Sequence, residues 1–401
     1  MSYDTVKKQF HTLGTQDFSK WFDKRFNAES TLHFDITVNG NPAFFYFEIP
    51  LFNKLMAIQQ KNSELNNLFE ALPRIAARQY IRNSLVIDVK KTNEIEGVFS
   101  SRKEIFELTE DLKKRESDKI GSIVNKYLLL LSGDSEKNVR TCQNIRKIYD
   151  DLFLSNTQSL IDPDKLPDGD LFRRGDVGVY DLGSDRPIHK GIYPEDSIKR
   201  YLNEGIKVLN DKNINVFVRI AIFHYIFEYT HPFYDGNGRI GRYLISLFFK
   251  NEISSIFAFR VSAGINNFKK QYYKAFKDTE DELNKGDLTL FVYEFLDILD
   301  KTYDDCIDYA KKKKELLENK FVSYKKKFSN LSKNEESVLY VLIQASIFSD
   351  FGITIKDITN SLKISLRTVR RCLDLFKDKR ILNEERHSRF IYYNLSEKDV
   401  E

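Results

Sequence analysis

A mainly α-helical fold with small β additions is predicted by three observations on the 401-residue chain. Apolar residues recur every three or four positions over long stretches, which is the signature of helices burying one face. Strict apolar–polar alternation is confined to short segments near residues 32–38 and 381–395, as short strands require. Proline and glycine gather in few places, chiefly Asp162 to Asp170 with Pro163, Pro167 and Gly169, which reads as a loop.

Taken in order, Leu32, Phe34, Ile36 and Val38 alternate with polar residues, and Asn39-Gly40 separates them from the aromatic run Phe44 to Phe47. That pattern predicts a hairpin ending before Pro50. The chain from about Leu51 to Leu131 reads as mostly helical. Ile220, Phe223 and Phe227 mark a helix ending near Tyr229, and Ile240, Leu244, Leu247 and Phe248 mark the next. Phe295, Leu299, Tyr303, Cys306, Ala310, Leu317, Phe321, Tyr324 and Phe328 form one face of a long helix, interrupted by the Lys311 to Lys314 run. Those lysines fit a solvated surface or a nucleic-acid contact. From Leu331 the order is a helix (Glu336 to Ile347), a short helix (Ile355 to Leu362), a turn, a helix capped by Ser365 (Leu366 to Arg380), and alternation from Ile381 to Leu395 around His387-Ser388.

The composition, 30% charged and 41% hydrophobic with 13% aromatic, belongs to a globular protein, and the length suggests two or three units. The formal charge of +4 comes from 63 basic and 59 acidic residues, which excludes a polyanion-binding surface spread over the whole molecule. The surplus is local, about +5 from Lys301 to Glu401. Cys142, Cys306 and Cys372 lie far apart, suggesting neither a disulfide framework nor a sulfur-rich metal site. Met1-Ser2-Tyr3-Asp4 does not open a signal peptide, and the apolar stretch Val216 to Tyr229 is broken by Arg219, His224 and Glu228. The expectation is a cytoplasmic protein without a membrane partner.

Chemistry concentrates in His231-Pro232-Phe233-Tyr234-Asp235-Gly236-Asn237-Gly238-Arg239, continued by Ile240-Gly241-Arg242. Pro232 disfavours helix at His231, placing the imidazole at a helix exit, and Phe233 can anchor the loop in the core. Gly236 and Gly238 allow close backbone approach, and the start of the following helix offers free amides to a phosphate. Arg239 and Arg242 share one helix face, where guanidinium groups can fork onto phosphate oxygens. Asp235 suits magnesium, which takes one or two carboxylates together with substrate oxygens. An imidazole titrating near neutrality at His231 would accept a proton from an attacking hydroxyl, and a nucleoside triphosphate would supply the phosphoryl electrophile.

The run resembles, position for position, the Fic family signature H-P-F-x-D/E-G-N-G-R-x-x-R, whose members mostly transfer AMP from ATP to a protein hydroxyl. The resemblance implies a Fic-type helical core with a β-hairpin flap, a small N-terminal hairpin-plus-helix region and a C-terminal winged helix domain. The implied divisions are 1–115, 116–300, a helical connector 301–330, and 331–401. It makes His231 the base, Asp235 the Mg2+ ligand, Asn237, Gly238 and Arg239 the cradle of the α- and β-phosphates, Arg242 the γ-phosphate partner, and Gly236 a further nucleotide-binding residue. Gly238, where phosphate-transferring relatives carry lysine, favours AMP transfer. Arg186 to Glu195, with His189, Lys190, Gly191 and Ile192, looks like the flap that pins a target peptide, though His189 also reads as a turn residue. Tyr272 and Tyr273 are similar in place to residues walling the adenine pocket, and fit core packing equally.

Upstream, Thr92-Asn93-Glu94-Ile95-Glu96-Gly97 matches the family's inhibitory pattern [S/T]-x-x-x-E-[G/N], with Glu96 expected to occupy Arg242. The N-terminal hairpin is expected to pack this inhibitory helix. The implied activity is an autoinhibited protein adenylyltransferase acting on a Ser, Thr or Tyr hydroxyl of a target protein or of itself, with removal of AMP left open. The C-terminal order resembles a winged helix-turn-helix, whose Arg367, Arg370 and Arg371 suit DNA, while a protein-docking role and a homodimer stay open. The competing reading is a nucleotide-sensing DNA-binding transcription regulator.

Overall fold

The computed structural model describes residues 3–136, 138–180 and 187–396. Met1, Ser2 and Arg186, the first residue of the expected flap, lie outside the described residues, as do the last five residues of the chain. Helices α1 (Val6–Thr12) and α2 (Thr15–Phe26) precede the hairpin β1 (Thr31–Val38) and β2 (Asn41–Tyr46), whose turn holds Asn39 and Gly40 at positive φ. There follow α3 (Ile49–Glu70), α4 (Arg74–Ile95), α5 (Arg102–Glu110), α6 (Leu112–Ser117), α7 (Gly121–Ser132) and α8 (Cys142–Phe153). After the loop comes a short antiparallel pair, β3 (Gly178–Tyr180) and β4 (Pro187–Lys190). Next are α9 (Glu195–Asn210), α10 (Val216–Thr230), α11 (Asn237–Glu252), α12 (Val261–Asn267), α13 (Lys269–Thr279) and α14 (Thr289–Lys327). The chain finishes with α15 (Lys333–Phe348), β5 (Ile353–Thr354), α16 (Ile355–Leu362), α17 (Leu366–Asp378), β6 (Leu382–His387) and β7 (Phe390–Leu395), the three strands ordered β5-β7-β6.

Helix α10 is the axis of the fold. Every residue from Phe217 to Phe227 is buried, as expected of a helix apolar on all sides, and α9, α11 and α14 surround it. At 39 residues, α14 extends about 58 Å. It continues across residue 300, and α6 crosses residue 115, so two of the three expected divisions fall inside helices and the third, at residue 330, falls between α14 and α15. In the lysine run, Lys311 is exposed and pairs with Glu64 at 2.6 Å, the solvated-surface outcome.

The N-terminal hairpin departs from expectation. Its chain packs on α9, the end of α10 and the start of α14: the Asn39 amide donates to Tyr229 Oη at 3.0 Å, the Thr37 hydroxyl meets Tyr201 Oη at 3.0 Å, and the Leu288 amide donates to Phe44 O at 2.8 Å. Neighbourhood in sequence suggested a prop for α4, but the hairpin's hydrogen bonds go to the tyrosines of α9 and α10, and its Phe44 meets Phe22 and Phe26 of α2 edge-on at 5.9 and 5.0 Å.

Instead α4 lies between helices α11 and α12 on one side and α15 on the other. At one end, Gln344 Oε1 of α15 accepts the buried Ala76 amide at 3.2 Å, and Arg82 pairs with Glu110. Toward the other end, Asp88 accepts the Ser262 amide at 2.8 Å and approaches its hydroxyl at 3.0 Å, capping the first turn of α12 across the interface. Burial raises the Asp88 carboxyl to about 6.

Candidate functional site

Pro232 ends α10, and His231 turns the chain out of it at φ 51, a left-handed conformation that residues other than glycine seldom adopt. Surrounding contacts hold that conformation. The Arg173 side chain is buried and donates to the carbonyls of His231 (2.8 Å), Ile192 (2.8 Å), Thr230 (3.3 Å) and Gly175. A cation thus satisfies carbonyls that the helix end would otherwise leave orphaned. Burial lowers its pKa to about 10, so it stays charged at neutral pH.

Phe233 is fully buried, stacked on Tyr149 at 3.8 Å and edge-on to Phe172 at 5.4 Å. Phe233→Ala is expected to cost about 3–5 kcal/mol of stability, as truncated core aromatics do. Chemical denaturation measures it, and a loss under about 1 kcal/mol would mean the loop is held by other means. Asn237 brackets the same loop, its amide donating to Phe233 O at 2.7 Å while its Oδ1 accepts the Phe233 amide at 2.9 Å. The side chain is spent on the loop, which leaves the backbone amide as the group of Asn237 that can meet an anion.

Gly236 caps α11 at φ 86, and a Cβ there would lie 2.9 Å from the Phe153 ring. Beyond it, the amides of Asn237, Gly238 and Arg239 have no hydrogen-bond partner among the described residues, and they open a helix N-terminus suited to an anion. Arg239 stacks over Phe153 at 4.9 Å and donates to Asp235 Oδ1 at 3.0 Å, while its buried Nε and Nη1 have no partner. Buried guanidinium nitrogens without acceptors are costly unless an anion arrives.

Arg242, 1% exposed, is saturated on the other side. Its Nε donates to Thr92 Oγ1 at 2.9 Å, and its Nη2 donates to Thr92 O at 3.0 Å and Glu96 Oε1 at 2.8 Å. Burial opposes the Arg242 charge, and the Glu96 carboxylate more than offsets it, so its pKa is raised. Burial likewise opposes the charge on Glu96, and Arg242 brings the net shift below the ordinary value. Glu96 caps α4, Gly97 leaves it at φ 76, and a Cβ at Gly238 would collide with Glu96 Oε1. The carboxylate therefore lies directly over the first turn of α11.

With this geometry in hand, residues 141–249 match the model of the Fic/DOC family. The chain contains a Fic/DOC domain. A probable protein adenylyltransferase of Aquifex aeolicus is 37% identical over 73 residues, 18% of this chain and 20% of that protein, so the chain spans about a fifth of that relative's length. A Fic family protein from Desulfovibrio desulfuricans G20 shares the fold at TM-score 0.50 and 17% identity, covering 88% of this chain and 97% of that one. Fic-1 from C. elegans is similar at TM-score 0.46 and 18% identity, covering 76% of this chain and 79% of its own.

Around His231, the structure differs from one sequence expectation. The His231 ring is half-buried, and that enclosure, with repulsion from His189, lowers its pKa to about 4 rather than leaving it near neutrality. Its Nδ1 sits 3.3 Å from Glu228 O, so Nδ1 carries the proton and Nε2 keeps the free lone pair. The two residues after β4 lie beside His231: the Gly191 amide donates to Val177 O at 3.0 Å, the Ile192 amide donates to Thr230 O at 3.1 Å, and a Cβ on Gly191 would lie 3.0 Å from His231 Cβ. Lys190 is exposed. Both His189 nitrogens are engaged inside the protein, Nδ1 with Glu280 at 2.9 Å and Nε2 with Tyr229 O at 2.7 Å, so this ring anchors the strand.

Tyr272 is buried with its hydroxyl 2.8 Å from His224 Nε2, whereas Tyr273 is 42% exposed and has Lys269 over its ring at 5.6 Å. Asp235 is 33% exposed and half-neutralised by Arg239, the condition of a carboxylate able to join a hard divalent cation whose other ligands come from phosphate and water. Sequence reasoning missed Arg173, which is 58 positions from His231. It also missed Glu228, whose Oε1 lacks a partner and whose carboxyl is raised by burial to about 8, leaving it uncharged at neutral pH. Neither residue belongs to a spacing pattern. Arg173 stands in Phe172-Arg173-Arg174-Gly175, and Glu228 is, with Arg219, one of two charged residues in a mainly apolar helix, the one signal that could have flagged it.

Proposed function

We propose that the chain is a protein adenylyltransferase that moves AMP from ATP to a Ser, Thr or Tyr hydroxyl, and that Glu96 restrains it. The observation that carries this reading is the buried, unpartnered edge of Arg239 beside free α11 amides, with the His231 lone pair at the preceding helix exit. The triphosphate lies along that N-terminus, its α- and β-phosphates on the amides and Arg239, its γ-phosphate on Arg242. The target hydroxyl, held by a strand added along β4, attacks the α-phosphorus. The bond to the β-phosphate oxygen breaks, pyrophosphate leaves, and the hydroxyl proton passes to His231 Nε2. Asp235 would hold Mg2+, which neutralises charge on the phosphates when bound. Because Glu96 occupies Arg242, the γ-phosphate loses its partner and the α-phosphate is misaligned. Removal of AMP would use the same site with water, directed by Glu96, as the nucleophile: water adds to the phosphorus of the modified side chain, the bond to the side-chain oxygen breaks, the freed hydroxyl regains its proton, and AMP leaves. ATP, a hydroxyl-bearing protein and Mg2+ are the partners this reading requires. DNA is not among them, and one copy of the chain supplies every named residue, so a homodimer is not needed for the chemistry.

Incubation with Mg2+ and ATP labelled at either the α- or the γ-phosphorus tests the reading. Protein should acquire the α label alone; γ label, or no label from a Glu96 variant, would overturn it. The pH profile of kcat/KM reports the free enzyme. A His231 pKa lowered to about 4 keeps the base neutral down to that pH, so activity is expected to be flat from about 6 to 7.5. Glu228, raised to about 8, is neutral below that pH and adds a second negative charge beside Arg242 above it, so activity falls there. A half-maximal point near 6.5, where a free imidazole titrates, would contradict the assigned environment.

A further inference from the structure

We infer, resting on the nucleotide site proposed above, that the C-terminal unit of α15–α17 and β5–β7 controls how firmly Glu96 holds Arg242, with α4 joining the two places. Helix α4 has 22 residues, a length of about 33 Å, and its two ends touch different parts of the molecule. Its last turns face the nucleotide site: Thr92 and Glu96 meet Arg242, Lys269 Nζ of α13 donates to Ile95 O at 3.2 Å, and Asp88 holds the start of α12. Its first turns face the C-terminal unit, where the buried Gln344 of α15 accepts the Ala76 amide.

The chain beyond Glu96 returns to the same unit. Six positions on, Arg102 opens α5 and pairs with Asp350 at 2.7 Å, while Lys103 pairs with Glu385 of β6 at 2.9 Å. Ser388, in the β6–β7 turn, donates to Asp111 at 2.6 Å. Phe106 of α5 stacks on Phe351 at 3.9 Å and meets His387 and Tyr392 edge-on at 5.5 and 5.2 Å. Arg82 of α4 pairs with Glu110 of α5 and lies over the Phe106 ring at 5.9 Å, tying the two anchor points to each other. Glu96 is thus bracketed, with residues 76–82 before it and 102–111 after it fixed to one unit. The exposed ion pairs contribute little each; the aromatic cluster around Phe106 and the Gln344 hydrogen bond supply most of the hold.

The seat of α4 beside α11 needs that support. Asn93, one turn before Glu96, is fully buried and finds no partner for either end of its side-chain amide among the described residues. An amide buried in that way is costly, so the last turn of α4 sits in place at a disadvantage that the bracket offsets. Loosening the bracket lets that turn withdraw, and Arg242 is left free for the γ-phosphate. The signal that releases Glu96 therefore acts through the C-terminal unit.

Calorimetric titration of the full chain with ATP and with ADP, each with Mg2+, tests this, because only ATP carries the phosphate that competes with Glu96. In the parent the two nucleotides should bind with nearly equal affinity, and Glu96→Gly should favour ATP by about tenfold or more. Phe106→Ala and Gln344→Leu, neither of which touches the nucleotide site, should each raise the ATP-to-ADP affinity ratio by roughly fivefold or more. Packing loss felt only as lower stability would weaken both nucleotides alike and leave the ratio unmoved. In the Glu96→Gly background either substitution should shift the ratio by less than about twofold, since the restraint through which it acts is gone. Gln344→Leu nearly preserves side-chain volume and decides the matter if Phe106→Ala does not fold. Two results would overturn the coupling alone: an unchanged ratio in the folded variants while Glu96→Gly favours ATP, or an equal rise with and without Glu96. Equal affinity for ATP and ADP in Glu96→Gly would instead take the γ-phosphate away from Arg242 and overturn the proposed restraint together with this coupling, so the two failures are told apart.

Discussion

Glu96→Gly is expected to raise transfer of α-phosphorus label from ATP to protein by roughly ten- to a hundredfold, the range of a coupling energy of 1–3 kcal/mol. The reasoning starts from Arg242, which in the parent meets Thr92 at Nε and Thr92 and Glu96 at Nη2. Deleting the carboxylate leaves both Thr92 contacts, so the guanidinium keeps its orientation but loses its counter-charge in a nearly solvent-free position. A buried cation without a partner is destabilising, and the γ-phosphate is the anion that can repair it. Two further readings follow from the same physics. The nucleotide-free variant should unfold at a lower temperature than the parent, and ATP should stabilise it more than it stabilises the parent, because binding now restores a missing ion pair. Glu96→Gln, which keeps a hydrogen-bond acceptor but not the charge, should release transfer only partly. Equal labelling rates in parent and glycine variant would remove the restraint from Glu96, leaving the pair with Arg242 as a structural contact.

The motif was legible because its geometry is local. Pro232 dictates a helix exit, two glycines and an asparagine dictate a tight re-entry, and Arg239 and Arg242 must then share the first turns of α11; each step follows from neighbours in sequence. The Glu96–Arg242 pair spans 146 positions and was reached only through the resemblance of the Thr92 to Gly97 run. Arg173 had neither support. Its role exists only because the carbonyls of residues 230, 231 and 192 converge, which no spacing announces. The environment of His231 was misjudged for a related reason: a pKa depends on burial and on nearby charge, and His189, whose field acts on this ring, stands 42 positions upstream. The hairpin at residues 31–46 was visible by its alternation and its Asn-Gly turn, but alternation says which side is buried and not against what. The start of α15 shows a smaller miss. Ser332 and Glu335 form a reciprocal capping box, which places the helix start at Lys333, three residues before the apolar pattern suggested.

His231→Ala, made in the Glu96→Gly background so that the restraint is absent, is expected to lower the labelling rate by about 10²–10⁴, the contribution of a positioned general base. ATP affinity should hardly change, since the phosphate contacts come from the α11 amides, Arg239 and Arg242. The backbone complicates alanine, because residue 231 stands at φ 51 and a left-handed alanine costs roughly 1 kcal/mol or more. His231→Asn is therefore the decisive partner variant: asparagine tolerates that conformation yet has no nitrogen able to accept a proton at neutral pH. If strain in the turn were the cause of lost activity, asparagine would restore it and alanine would not. If proton acceptance is the cause, both variants fall together while unfolding temperature and nucleotide binding stay near the parent's. Labelling by the asparagine variant at the parental rate would mean that the hydroxyl loses its proton elsewhere, and the place of this imidazole beside the phosphate-binding amides would have no part in the chemistry.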